Sequence, residues 1–201
     1  MPGEEIQTLI VVGMDITSYA LKNIRQQRAA QGHVDRCLQE ANRIARPGKA
    51  LPAWLDAGDG GYALFDCSEL TVLNLLTDFY ALLARTNEDL APENLVVVRT
   101  ALHIGQVISW TTDLGAKYTS HAINDCARLL SGMNRKNGNQ VVCSGEFFRK
   151  LNTLDEVVKS VRLRDVKDKH GGNHEVWNIR REPGFGVQPE DSEKHQHPLK
   201  R

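Results

Sequence analysis

The segment Leu9-Ile10-Val11-Val12-Gly13-Met14 is apolar without alternation and runs directly into Asp15 and Ile16. A strand with no polar face is buried on both sides, so the stretch from about Ile6 to Asp15 reads as the centre of a sheet. Its terminal carboxylate then sits at the strand's lip, on a rigid element. A second aspartate has a comparable setting. Within a hairpin expected from Ala53 to Asp66, Asp59 lies in Gly58-Asp59-Gly60-Gly61, where glycines let the backbone approach a ligand. Aspartate is common at strand ends and in turns, so neither residue alone carries an argument. As a converging pair they suit two divalent cations, Mn²⁺ or Mg²⁺, at a phosphoryl-transfer site. Asp56, three residues before Asp59, falls on the opposite face by strand alternation.

The remaining pattern supplies helices to pack on that sheet. Residues from Thr17 to about Arg46 favour helix, closed by Pro47-Gly48. Ser68 is placed to cap a helix reaching about Thr86, on which Leu70, Leu73, Leu76, Phe79, Tyr80 and Leu83 recur at helical spacing. A long strand is expected from Leu95 to Ile108, followed by a polar loop over 111–120, a helix from Ala122 to Met133 and a short strand from Gln140 to Ser144. A helix over 145–157 and a charged strand pair, Ser160 to Lys167 and Glu175 to Arg180, complete the series. The order is α+β: a ferredoxin-like βαββαβ core with a βαββ extension. One domain over 1–181 is expected, with 182–201 a disordered polar tail.

Lysine plus arginine equals aspartate plus glutamate, 25 each in 201 residues, so no net field draws this chain to nucleic acid or an anionic membrane. Any anion site must be local. Cys37, Cys67, Cys126 and Cys143 have no metal-ligand spacing and read as reduced packing residues. With no basic-apolar leader and no membrane-length apolar run, a cytoplasmic location is expected. In Ala122-Ile123-Asn124-Asp125-Cys126-Ala127-Arg128, Asn124 and Arg128 lie one helical turn apart and project from one face. An amide and a guanidinium there can hold a ribose and a reacting phosphorus; on a plain surface helix they would be a polar residue and a salt-bridge partner.

Four blocks, in order, resemble the class III nucleotide cyclase catalytic domain over about Ile6 to Arg181. Met14-Asp15-Ile16-Thr17-Ser18-Tyr19 is similar to the family's Asp-Ile-x-x-Phe-Thr block, with Tyr19 for the aromatic and Ala20 where a hydroxyl is usual. Gly58-Asp59-Gly60-Gly61 matches the hairpin of the second metal aspartate. Arg99-Thr100-Ala101-Leu102-His103-Ile104-Gly105 is similar to the Arg-x-Gly-x-His-x-Gly strand, with Ala101 for one glycine, and the Asn124 to Arg128 helix is the fourth block. The resemblance implies that Asp15, Asp59 and the Ile16 carbonyl bind metal, and that the amides of Ile16, Thr17, Ser18 and Tyr19, opening a helix, bind terminal phosphates. It implies that Asn124 orients the ribose, that Arg128 stabilises charge on the transferred phosphorus, and that Lys169, or Lys167 beside the same glycine turn, binds triphosphate. The implied reaction is attack of a 3′-hydroxyl on the α-phosphate of a nucleoside triphosphate, giving a 3′,5′-cyclic monophosphate and pyrophosphate. The implied assembly is a head-to-tail homodimer in which Asp15 and Asp59 of one protomer meet Asn124 and Arg128 of the other. His103, in mid-strand, reads as a satisfied core histidine.

Relatives specific for adenine carry lysine four positions before the second metal aspartate, and those specific for guanine carry glutamate. Leu55 stands there in this chain and can neither donate nor accept a hydrogen bond. Counting seven back from Asn124 reaches Lys117, with Thr119 an alternative for the second base-reading position. A cyclase domain altered at these positions resembles the pyrimidine cyclases of bacterial Pycsar antiphage systems, which make cyclic UMP or cyclic CMP to activate a separate effector. UTP is therefore the expected substrate, with Trp54, Leu55, Lys117 and Thr119 as candidate base contacts; Trp54 and Leu55 are otherwise hairpin packing. Two alternatives stay open: an adenylate or guanylate cyclase with a relocated base contact, and a non-catalytic cyclase-like module that dimerises or binds nucleotide.

Overall fold

The computed structural model describes residues 4–133, 138–151, 159–163, 165–167 and 172–180. Its centre is β1 (Glu5–Ile16), buried from Leu9 to Met14 as the apolar run requires. Around it the main sheet runs in the order β2 (Ala53–Asp56), β3 (Gly60–Phe65), β1, β4 (Val98–Thr112), β6 (Val141–Ser144), β10 (Val176–Arg180) and β7 (Lys159–Arg162), with β5 (Gly115–Thr119) paired to β4. The first four strands, in spatial order 2-3-1-4, form the ferredoxin-like core. Among the described strands only the β4–β6 pairing is parallel.

Alternation along β1 serves two cores. Ile10, Val12, Met14 and Ile16 pack with α1 (Ile24–Ala45), α2 (Glu69–Glu88) and α4 (Gly145–Leu151), while Leu9 and Val11 pack under α3 (His121–Gly132). Ser68 caps α2 by accepting from the Thr71 amide, and the Tyr80 hydroxyl of α2 reaches Thr100 Oγ1 at 2.7 Å and the Val98 carbonyl at 3.1 Å. The missing side chain at Gly13 lets α3 lie close on β1, because a Cβ there would meet Cys126 Sγ and Leu130 Cδ1 at 2.9 Å. Beneath that contact the Cys126 thiol donates to the Ala101 carbonyl at 3.3 Å, and burial pushes its pKa up to about 12. It is a packing residue, as expected of the cysteines.

The structure departs from the expected elements in three places. The helix expected from Thr17 begins only at Ile24. Ser18 takes a left-handed conformation (φ 58°), a short 3-10 turn covers Tyr19–Leu21, and Asn23 with Gln26 forms the capping box that starts α1. The polar loop over 111–120 is instead a β-hairpin, with β5 pairing Thr119 opposite Ile108 and Lys117 opposite Trp110. The charged strand expected from Ser160 to Lys167 is divided: β7 pairs with β10, and β8 (Val166–Lys167) leaves the sheet to pair with β9 (Asn173–His174). The last part of the helix expected over 145–157, the tail over 182–201 and Lys169 lie outside the described residues. No helix among the described residues is long and apolar enough to cross a membrane.

Gly60 makes the tightest of these approaches: a Cβ there would lie 2.0 Å from the Met14 carbonyl oxygen. The obstacle is backbone, which has no rotamer to yield. Gly60→Ala is expected to destabilise the protein by about 2 kcal/mol or more in urea denaturation, with the m-value unchanged.

Candidate active site

Asp15 and Asp59 are brought together by main-chain bonds. The Ile16 amide donates to the Asp59 carbonyl at 2.8 Å, while Asp15 stands opposite Gly60 in the β1–β3 register. The turn is closed by the Ala57 amide on the Gly60 carbonyl at 2.9 Å, with Gly58 at φ 88°, and the Asp56 carboxylate accepts from the Gly58 amide at 2.7 Å. Asp56 is thus engaged in shaping the turn, on the face opposite Asp15 as alternation requires. The Asp59 carboxyl is raised above its ordinary pKa, first by partial burial and then by the neighbouring Asp15.

Arg99 completes this corner. It lies opposite Asp15 in the β1–β4 register and donates to Asp15 Oδ2. Its other terminal nitrogen donates to the Met133 carbonyl at 3.1 Å and the Leu130 carbonyl at 3.4 Å, at the C-terminal end of α3, where a cation suits the helix dipole. The motif containing Arg99 is visible in the sequence, but its ion pair spans 84 residues and becomes visible only with the strand pairing.

The donor set fits small divalent cations. Two carboxylates and a backbone carbonyl are hard oxygen ligands, and like charge at the pair favours a cation there. The described residues contain no cluster of three or more His, Cys, Asp or Glu arranged as a metal cage. A cation held by Asp15 and Asp59 would take its other ligands from water or a bound phosphate, as Mg²⁺ commonly does.

The four amides expected to bind phosphate are not equivalent. That of Ile16 is bonded to Asp59, and that of Thr17 donates to the Val97 carbonyl at 2.9 Å. Only the Ser18 and Tyr19 amides lack a partner among the described hydrogen bonds, and they open a 3-10 turn rather than a long helix.

On α3 the buried residues are Ala122, Cys126, Leu129 and Leu130. Helical phase turns Asn124, which is exposed, and Arg128, which is half-buried, to the outer side. One protomer therefore does not gather the two aspartates with Asn124 and Arg128. Lys117 and Thr119 are exposed on β5, just before Ser120 caps α3 through the Ala122 amide at 2.8 Å.

Trp54 and Leu55, grouped as base contacts from the sequence, diverge. Leu55 pairs with Tyr62 and packs on the α3 face of the sheet, whereas the Trp54 ring lies over Gly61 on the other face, where a Cβ would meet it at 2.5 Å. Alternation between adjacent strand residues already separates them. Tyr62 is an unanticipated neighbour of the carboxylates: its phenol is raised by burial, with Cys126, Asp59 and Asp15 adding to the rise. His103 is buried, but its Nδ1 has no hydrogen-bond partner among the described residues, where a satisfied core histidine is expected from the sequence.

A raised carboxyl pKa means that the folded state binds more protons than the unfolded state between the two values. Stability then falls as pH rises through that window. Asp59→Asn is expected to stabilise the metal-free protein at pH 7 by a fraction of a kcal/mol, screening at this exposed turn keeping the effect small, with no gain well below pH 4. Millimolar Mn²⁺ should raise the melting temperature of the wild type more than that of Asp59→Asn. Equal shifts would count against the aspartates as ligands.

No protein-family model matches the chain, and no curated protein matches its sequence. Solved structures match its shape. The guanylate cyclase domain of RhGC from Catenaria anguillulae in complex with GTP superposes with a TM-score of 0.68 at 11% identity, over 88% of this chain and 98% of that one. The guanylyl cyclase Cya2 gives 0.69 at 15% identity, over 93% and 96%. An adenylate/guanylate cyclase/hydrolase from Silicibacter pomeroyi gives 0.67 at 17% identity, over 89% and 99%. At such identities the likeness is one of fold: the chain has the α+β fold of class III adenylyl and guanylyl cyclase catalytic domains.

Proposed function

We propose that the protein is a nucleotide cyclase that converts a nucleoside triphosphate, UTP in first preference, to its 3′,5′-cyclic monophosphate and pyrophosphate. The observation that carries this reading is the Asp15–Asp59 pair, locked together by the Ile16–Asp59 backbone bond within a cyclase fold. Divalent cations bound there would lower the pKa of the attacking hydroxyl and neutralise phosphate charge. The chain's own residues do the rest. Asp15 and Asp59 hold the cations, the Ser18 and Tyr19 amides and Lys169 receive terminal phosphates, and Asn124 and Arg128 of a partner protomer orient the ribose and stabilise the reacting phosphorus. The outward position of Asn124 and Arg128 supports a shared site between two copies. The catalytic domain is taken as 1–181, working in the cytoplasm, with its product a diffusible messenger in antiviral defence.

Structural neighbours in this fold are named for ATPαS and GTP complexes, which supports a nucleoside triphosphate site here. Leu55 is what favours a pyrimidine. A purine bound against it would leave desolvated polar edges unmatched, at about 1–3 kcal/mol for each unsatisfied group. Lys117 and Thr119 remain the polar side chains offered to the smaller base.

Incubation with the four triphosphates and Mn²⁺, read by mass spectrometry, should give cyclic UMP as the main product. Preference for ATP or GTP at matched concentration would overturn the pyrimidine assignment and leave the cyclase assignment intact, whereas no cyclic product from any of the four would favour the non-catalytic module. Asp59→Ala should fold and fall to background; Asp15→Ala should also fall to background, but at lower stability, because it leaves the buried Arg99 guanidinium without its carboxylate. Leu55→Lys alone should not create an efficient adenylate cyclase. Mixing Asp59→Ala with Arg128→Ala should restore about a quarter of wild-type activity, since random exchange makes half the dimers mixed and each of those keeps one intact site. No recovery after verified subunit exchange would exclude the composite site.

A further inference from the structure

Asp125, between Asn124 and Arg128 on α3, has no role in the reading above, yet it is the centre of a charged cluster. Its Oδ1 accepts from Arg128, lies 3.9 Å from His174 Nδ1 on β9, and its Oδ2 lies 3.9 Å from His103 Nε2 on β4. His103 Nδ1 is in turn 3.8 Å from Glu146 Oε2 at the start of α4, and Glu146 pairs with Arg149, which also reaches Glu175. The side chains of Asp125, His103 and His174 are 22%, 11% and 21% exposed, so the attraction between them is only partly screened.

A separation of 3.9 Å is too long for a hydrogen bond but close enough for an ion pair once an imidazole is charged. Burial lowers the pKa of His103, with Glu146 and Asp125 opposing that fall and His174 adding to it. At neutral pH His103 is therefore uncharged and Asp125 serves Arg128. On acidification, the His103 imidazolium becomes a rival for the same carboxylate.

We propose that Asp125 is a positioning residue that holds the Arg128 guanidinium in its working orientation, and that His103 withdraws it in acid by competing for its carboxylate. This rests on the reading of Arg128 as the group that acts on the reacting phosphorus. An unrestrained arginine has several rotamers to search in each turnover, and one anchored by a carboxylate at i−3 has few. The sign follows directly. As pH falls through the range in which His103 gains its proton, Asp125 turns to that imidazolium, Arg128 is released and kcat declines.

The test uses the full chain and two readouts. With UTP and Mn²⁺, Asp125→Asn is expected to lower kcat about tenfold with KM changed less than twofold, and Asp125→Glu, which keeps the charge, to recover most of the loss. His174→Gln, at a partly exposed site, removes a neighbour that holds the His103 pKa down and should shift the acid limb of the kcat profile to higher pH. A folded Asp125→Asn protein with wild-type kcat and pH profile would overturn the proposal and leave the cyclase reading standing. The second readout needs no turnover: the ¹⁵Nε signal of Arg128, assigned by Arg128→Lys, should titrate in the wild type between about pH 5 and 7.5 and lose that response in Asp125→Asn. An Arg128 signal insensitive to pH in the wild type would overturn the proposal whether or not any triphosphate is cyclised.

Discussion

A single backbone hydrogen bond, from the Ile16 amide to the Asp59 carbonyl, brings together the two aspartates on which the proposed chemistry rests. It joins the end of the central strand to the tip of the neighbouring hairpin, and the absence of a side chain at Gly60 lets the two backbones meet. Neither aspartate needs to be held by its own side chain. Main-chain geometry sets both positions; the Asp15 carboxylate is engaged by Arg99, and the repulsion between the two carboxylates is borne by the sheet.

Arg99 extends that corner into the rest of the fold. Its guanidinium spans from Asp15 to the last carbonyls of α3, and the same helix carries Asn124 and Arg128 on its outer side. Gly13 determines how closely the helix lies on β1, so the aspartate corner and the outer face of α3 belong to one rigid unit. Removing one member of a buried ion pair leaves an uncompensated charge, commonly at about 3–5 kcal/mol, so Arg99 is bound up with stability as well as with the site.

The proposed chemistry is local in a chain with no net charge. Two paired arginines flank the proposed site: Arg99 on Asp15 and Arg128 on Asp125, on the outer side of α3. Leu55 and Tyr62 form an apolar and phenolic patch on the same sheet face as Asp15.

The apolar run into Asp15 determined by itself that β1 would be central and doubly covered, because burial on two faces leaves no polar alternation. The Ser68 cap, the spacing of apolar residues on α2 and the glycines around Asp59 were equally legible, since each acts within one turn of helix or one hairpin. Tertiary structure alone decided the rest. The Asp15–Arg99 pair and the bond that engages the Ile16 amide depend on register between strands far apart in sequence. The left-handed Ser18 delays α1 to Ile24, and the pairing of β5 with β4 turns an expected loop into a hairpin. The separation of Trp54 from Leu55 was implicit in alternation, but the identity of each face was not. Local propensity is written in neighbouring residues, whereas register, facing and the approach of His103 and His174 to the Asp125–Arg128 pair arise only when distant segments pack.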